Sequence, residues 1–442
     1  MAASGSTRPK LPLSPNPMGN PAGSLSVIYA GVNGFDPFGA FVARMPEGTG
    51  SMPGQRALAD VSLAVKDLLV FGDRVPLCGL ASAPFDDIGP SSPVVRRLVE
   101  AGASLAGFTT LTALAYEPSG SNHDGTRPFN PWNSNYVCGG SSSGSAVAVA
   151  AGLVDLAVGS DTAGSLRIPA HCTGVASWKP TYELLSLAGV MPLAPSLDCL
   201  GFMARDVALL DVVADLFAPE VQQVNRVAIA IDLMDGCDPE IAAMFDRTIR
   251  MVHALTIGTG DVAIRSLLAQ ADGPVFQLLQ GEAYRSFASL FTKDVLPPEL
   301  ARRLQKGASI SDADLVHARE VLGRLYEEWS DRLFADHDCL LLPVMPVTTP
   351  TVTACTQGHA DFAPRHLYAL SEFTRFVNGL GWPAVAVPMG LDGRGLPMAM
   401  QIVGPKGSDR ALLSLAKQLQ VLRGDLTDSL STHYDRAGTI SS

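Results

Sequence analysis

Residues 138–181 read CGGSSSGSAVAVAAGLVDLAVGSDTAGSLRIPAHCTGVASWKPT. Two glycine- and serine-rich turns, 139–145 and 160–165, enclose a run of small residues and a β-branched run. The spacing predicts a helix over 145–151, closed by Gly152, and a strand over 154–158. Glycine permits positive φ and close backbone approach, so loops of this kind can aim several N–H groups at one point. Such a point binds an anion or a developing oxyanion. No G-x-x-x-x-G-K-[ST] or G-x-G-x-x-G follows a strand, so a nucleotide loop is not indicated.

The same rhythm extends in both directions. Strands are predicted at 61–69 and 103–109, with a helix between them at 92–102, where Pro93 suits the first turn and Gly102 the stop. Further strands are predicted at 339–343, 384–388 and 399–403, and a closing helix at 409–422. Alternating strands and helices point to an α/β fold with a largely buried sheet. Residues 218–330 are more charged and less strand-like, with helices expected at 273–291 and 310–334. They read as a mostly helical insertion covering one side of the sheet. Residues 1–24 are rich in Pro, Ser and Gly and read as a mobile arm. Residues 25–442 are expected to form one domain.

Composition removes whole classes of function. With 32 basic and 43 acidic residues the net charge is −11, which argues against nucleic acid and against anionic membranes. No apolar run reaches membrane length, because the best candidate is broken by Asp155. No signal-peptide pattern opens the chain. The seven cysteines form no C-x-x-C pair, so neither a zinc site nor a disulfide framework is indicated, and a cytoplasmic setting fits. No metal or organic cofactor is expected.

Taken together, the two loops resemble the amidase signature, a pattern of about GGSSGGS followed by G-[TS]-D-x-GGS-[IV]-R-x-P. The matching residues are Gly139, Gly140, Ser141 and Ser142, then Gly159, Ser160, Asp161, Thr162, Gly164, Ser165, Arg167 and Pro169. Val65-Lys66-Asp67 resembles the family's VKD motif, and residues 378–388 and 401–404 resemble its downstream motifs. Ser143 and Ala163 stand where the family usually has glycine. The family's long helical N-terminal segment is not matched, which leaves oligomer contacts open, a homodimer among them.

The resemblance implies a large mixed, mostly buried sheet covered by helices. It also implies a catalytic relay in which Ser165 attacks the carbonyl, Ser141, following a cis peptide, passes the proton, and Lys66 is the final base. A serine needs such a base to become a nucleophile, and Lys66 can serve only when neutral, which burial favours. By the same resemblance, the backbone N–H groups of Thr162, Ala163, Gly164 and Ser165 face the oxyanion. Asp161 and Arg167 read as a partly buried pair holding the loop. Ser142, Ser143 and Ser145 read as loop hydroxyls satisfying backbone groups.

His171 reads as structural, and Cys138 and Cys172 lack a partner that would make either a nucleophile. Tyr116, Trp132 and Phe373 stand between pocket lining and core. The helix 276–291 resembles one that faces the acyl pocket in the family, which makes Gln277, Gln280 and Tyr284 candidate substrate contacts. These elements look apolar, with few fixed charges, and so suit neutral amides. Residues 116–132 and 192–206 look most like small-amide hydrolases of the indole-acetamide and allophanate type. The expected reaction is hydrolysis of a small-molecule amide by water. Carbamate hydrolysis with the same triad and ammonia release for an amidotransferase partner are the alternatives; the short N-terminus and the acidic charge argue against the latter.

Overall fold

Stretches such as LAVGSD at 156–161 and CLGFMA at 199–204 are buried along their whole length. A strand covered on both faces has no solvent side for polar residues, so period-two alternation is absent. The computed structural model describes residues 36–46, 56–86, 89–122, 124–218, 223–293 and 295–424. The proposed arm at 1–24 lies outside them. Eleven strands of the described residues form one sheet. They are β1 (Phe41–Arg44), β2 (Ser62–Lys66), β3 (Ser104–Thr109), β4 (Leu156–Asp161), β5 (Ala176–Lys179), β6 (Cys199–Ala204), β7 (Arg226–Ala230), β8 (Gly258–Val262), β9 (Cys339–Pro343), β10 (Ala384–Leu391) and β11 (Pro397–Val403). Their order is β1-β3-β2-β4-β6-β5-β10-β11-β9-β7-β8. The β3–β2–β4 and β9–β7–β8 groups are parallel, and the other pairings are antiparallel. The sheet is mixed, as expected.

The helices form where the small-residue and amphipathic patterns allow. Helix α1 (Pro93–Glu100) buries Val94, Val95 and Leu98 on one face. Helix α2 (Ser143–Ala150) is buried at all eight positions, which its Ser, Gly, Ala and Val side chains permit because none is bulky or charged. Helix α3 (Arg167–Thr173) is likewise fully buried and ends at Gly174.

The segment 218–330 departs from its reading. It does supply helices, among them α4 (Arg265–Ser286), α5 (Pro298–Gln305) and α6 (Asp312–Phe334), but it also adds β7 and β8 at the far edge of the sheet. Gly258–Val262 is GTGDV, partly exposed throughout and without an apolar run to signal a strand. Helix α4 starts eight residues before the expected 273, because Gly273-Pro274 lies within it and does not begin it. Proline normally marks a first turn, and here the preceding turns supply the tertiary contacts, burying Leu267 and Ala271. Helix α6 begins two residues later than expected, at a capping box between Ser311 and Asp314. Helix α7 (Pro364–Ser371) and the closing helix α8 (Asp409–Arg423) complete the elements used below.

Candidate active site

β2 and β4 run parallel with Val65 opposite Val158, so both strands deliver their carboxyl ends to the same place. Lys66, the last residue of β2, is fully buried. Its Nζ lies 2.8 Å from Ser141 Oγ, 2.9 Å from Ser142 Oγ and 2.8 Å from Ser160 Oγ. The adjacent Asp67 does not pair with it: its carboxylate accepts from Arg74 Nη2 at 2.9 Å and from the Leu77 N–H at 3.0 Å. Burial therefore dominates and pushes the Lys66 amine down to about 7, against a weaker upward pull from Asp161, Asp198 and Cys78.

The three hydroxyls are not equivalent. Ser142 Oγ donates to the Ser160 carbonyl at 3.0 Å and accepts the Ser160 N–H at 3.3 Å. A hydroxyl has one proton, so Ser142 meets Lys66 only as an acceptor. Ser141 and Ser160 are the two that can donate to a neutral amine.

The Gly140–Ser141 peptide is cis. The two serine loops are joined by a hydrogen bond from the Ser142 N–H to the Ser165 carbonyl at 3.3 Å. Asp161 organises the second loop. Its carboxylate accepts the Gly164 N–H at 2.8 Å and the Leu166 N–H at 3.1 Å. It also receives Arg167 Nε at 3.1 Å and Nη2 at 3.0 Å. Burial opposes the charge on Asp161, but the Arg167 guanidinium outweighs it and holds the carboxyl at about 2. The pair is fully buried rather than partly so. Arg167 reaches further, to Gln401 Oε1 at 2.9 Å, Asn378 Oδ1 at 2.6 Å and the Thr374 carbonyl at 3.0 Å.

One expectation for this loop fails. The Gly164 N–H belongs to Asp161 and cannot also serve an oxyanion. The N–H groups of Thr162, Ala163 and Ser165 have no acceptor among the described residues. Gly164 is needed for another reason: its φ is +121°, and a Cβ there would collide with the Thr374 side chain.

Ser165, Thr162 and Ala163 line a pocket of about 550 Å³, in the range of small-molecule sites. Lys66 and Ser141 are buried and do not line it, and the Ser142 N–H bond to the Ser165 carbonyl joins the Ser141 loop to the pocket. Tyr116, Gln280, Phe276 and Leu279 are on its wall. Gln277 is exposed and off the wall. Tyr284 lies one turn beyond Gln280 and packs against Phe291 at 5.5 Å between ring centroids. Phe373 and Trp132 are core residues; Trp132 Nε1 donates to the Thr173 carbonyl at 2.9 Å. The reading of an apolar pocket with few charges is also overturned. Arg127, Arg303, Lys306 and Arg375 line it, with Glu117 and Glu299. Arg375 is paired with Asp272 and Glu299 with Arg302.

Comparison with known proteins decides the family. The Amidase family model matches residues 49–413. The chain belongs to the amidase family. It is 30% identical to Amidase 1 of Arabidopsis thaliana over 427 residues, covering 86% of this chain and 98% of the relative. It is equally 30% identical to the A-type subunit of the glutamyl-tRNA(Gln) amidotransferase of Deinococcus deserti, covering 88% of each. A solved crystal structure of an amidase superposes with a TM-score of 0.75 at 30% identity, covering 83% of this chain and 85% of that one.

The remaining residues of this amidase-family chain fall into place around the site. His171 is buried on α3, and its Nδ1 accepts the Ala399 N–H at 3.1 Å. Burial pushes it down to about 4, so it is neutral and anchored to β11. The Cys138 thiol faces the Pro128 carbonyl at 3.2 Å, and burial pushes it up to about 12; burial pushes Cys172 up as well. Neither thiol is poised as a nucleophile. Ser145 bonds Thr109 Oγ1 at 2.8 Å and the Val158 carbonyl at 3.2 Å, holding α2 to the sheet. Ser143 Oγ is buried without a partner.

Four contributors carried no assigned role in the sequence reading: Ser160, Asp198, Asn378 and Gln401. Ser160, Asn378 and Gln401 stand inside the motif segments, but nothing in the spacing says that Ser160 faces a lysine or that Asn378 and Gln401 face Arg167. Among the described residues, no group of three or more His, Cys, Asp or Glu could hold a metal ion. No helix among them is long and apolar enough to cross a membrane.

Proposed function

We propose that this amidase hydrolyses a carbon–nitrogen acyl bond through an acyl-enzyme on Ser165. The observation that carries the reading is Lys66: a fully buried amine, brought near neutrality by burial, with three serine hydroxyls at 2.8–2.9 Å, one of them in Ser142, whose N–H bonds the carbonyl of the pocket-lining Ser165. In this mechanism the Ser165 hydroxyl attacks the carbonyl and its proton passes to Ser141, whose own proton passes to Lys66. The tetrahedral oxyanion is held by the N–H groups of Thr162, Ala163 and Ser165. The proton then returns along the same path to the leaving nitrogen, the amine departs, and water repeats the sequence on the acyl-enzyme.

A serine-directed fluorophosphonate is expected to label Ser165 and no other residue, read by peptide mass. An adduct on a cysteine, or undiminished labelling of Ser165→Ala, refutes the assignment. Carbamates and aryl esters offer the same planar carbonyl and are expected as slower and faster substrates respectively. The equal similarity to an amidotransferase component supports a second reading, ammonia release for a partner. Hydrolysis of free amides by the purified chain alone decides for the first. The seven cysteines are free thiols, which suits a reducing compartment such as the cytoplasm.

The pocket charges refine the substrate. In a chain of net charge −11, Arg127, Arg303 and Lys306 have no carboxylate partner in salt-bridge reach among the described residues, and the carboxylates on the wall are Glu117 and Glu299, the latter paired with Arg302. Arg303 donates to the Tyr116 carbonyl at 3.0 Å and lies over the Tyr116 ring. This favours an amide with an anionic group at its distal end over a neutral one. Arg303→Ala is expected to raise KM for a carboxylate-bearing amide by about 10- to 100-fold, the value of one charge-assisted hydrogen bond. KM for the neutral isostere should move less than about threefold. Equal shifts for both substrates in a Michaelis–Menten comparison refute the anionic preference.

A further inference from the structure

Asp198 stands just before β6 and is buried at 7% exposure. Its carboxylate joins two segments of the pocket. Oδ1 accepts the Thr162 hydroxyl at 2.6 Å, and Oδ2 accepts the Leu193 and Ala194 N–H groups at 2.9 and 3.0 Å. Thr162 and Leu193 both line the pocket. Two residues upstream, Ser196 donates its N–H at 2.9 Å and its hydroxyl at 2.5 Å to Glu282, which also receives Arg319 at 3.1 Å. Glu282 belongs to α4, the helix that carries Phe276, Leu279 and Gln280 into the pocket wall.

No cation lies within salt-bridge reach of Asp198 among the described residues. A buried carboxylate without a counter-charge costs free energy, and here three hydrogen bonds, from the Thr162 hydroxyl and the Leu193 and Ala194 N–H groups, offset that cost. An apolar residue in its place could not hold Thr162. Each residue of the loop has its own tie: Thr162 to Asp198, the Ala163 carbonyl to Thr374 Oγ1 at 2.7 Å, and the Gly164 N–H to Asp161.

We propose that Asp198 is a positioning residue that sets the oxyanion loop: through Thr162 it fixes where the free N–H groups of Thr162, Ala163 and Ser165 point, and through residues 193–196 it ties that loop to the pocket helix α4. This rests on the reading of Ser165 as nucleophile. The oxyanion forms only during reaction, so the effect belongs to kcat and not to substrate affinity. It applies alike to amides and aryl esters, because both pass through the same tetrahedral intermediate.

The test compares Asp198→Ala, Asp198→Asn, Thr162→Val and the Asp198→Ala/Thr162→Val double variant, each checked for folding by its melting curve. Asparagine can keep all three hydrogen bonds, its carbonyl oxygen taking the two N–H groups and its amide donating to the Thr162 hydroxyl. Thr162→Val and Asp198→Ala are expected to lose about 100-fold in kcat, the scale of one misplaced oxyanion donor, with KM within about threefold. Asp198→Asn should stay within about tenfold of wild type, and the double variant should match Asp198→Ala alone, since both changes break the same Thr162–Asp198 link. Wild-type kcat in folded Asp198→Ala, or losses that multiply in the double variant, overturn the proposal. If Asp198→Ala does not fold, wild-type kcat in Thr162→Val overturns it equally. Failure of the underlying reading is separately visible, because wild-type enzyme would then not take the fluorophosphonate at Ser165.

Discussion

Ser165→Ala is expected to lose at least about 10,000-fold in kcat on any amide the wild type hydrolyses, with KM or inhibitor affinity nearly unchanged. Removing a catalytic serine removes the covalent route altogether, and in serine hydrolases such losses reach about a millionfold. What survives is binding and oxyanion stabilisation, since the N–H groups of Thr162, Ala163 and residue 165 are backbone donors that the substitution leaves in place. Ser165 also contributes little to stability that alanine would forfeit: it is 9% exposed, its carbonyl accepts the Ser142 N–H, and alanine keeps that carbonyl. The melting temperature should therefore stay within a few degrees. Single-turnover and steady-state assays of the purified variant read the result. Residual kcat above about 1% of wild type would mean that the acyl group is carried elsewhere.

The meeting of Lys66 with the two serine loops was more legible than their surroundings, and the reason is physical. Lys66, Ser141 and Ser165 lie in short motifs whose residue types are unusual for their positions, a lysine closing an apolar strand and serines beside glycine turns. The fold class followed from alternating apolar runs, and strand ends shifted by only a few residues. Antiparallel β5 left little signature, since its four residues ASWK include the buried Ser177 and Lys179 in place of an apolar run. β8 left none, because GTGDV at a sheet edge lacks the apolar residues that mark a strand. The pocket was the least legible part. Its wall is assembled from the 115–127 loop, α4, α5 and α7, which are far apart in the chain. Arg303 and Gln280 therefore meet by tertiary packing that no local pattern encodes. Gly164 shows a subtler limit. Its N–H looked available for the oxyanion because the loop sequence is the same whether Asp161 turns towards that group or away from it.

Lys66→Ala should cost amide turnover about 100- to 10,000-fold, the range for a positioned general base, and aryl-ester turnover distinctly less. An amine leaves poorly until it is protonated, and in the proposed relay Lys66 holds the returning proton; a phenolate leaves unaided. The pH dependence gives the sharper test. Lys66 acts as a base only when neutral, so kcat/KM rises as pH climbs through its folded pKa. At the ordinary 10.5, about one molecule in three thousand would carry a neutral amine at pH 7. Burial lowers the value to about 7, which makes roughly half of the molecules competent at that pH. The ascending limb is therefore expected near neutrality and not near pH 10, flattening at mildly alkaline pH. In the proposed relay Lys66, Ser141 and Ser165 share protons, so the midpoint belongs to the coupled unit. In Lys66→Ala this limb should vanish, leaving a shallow rise from hydroxide or bulk base. A limb of unchanged midpoint and amplitude in Lys66→Ala, or equal losses on a matched amide and ester pair, would remove Lys66 from the proton path.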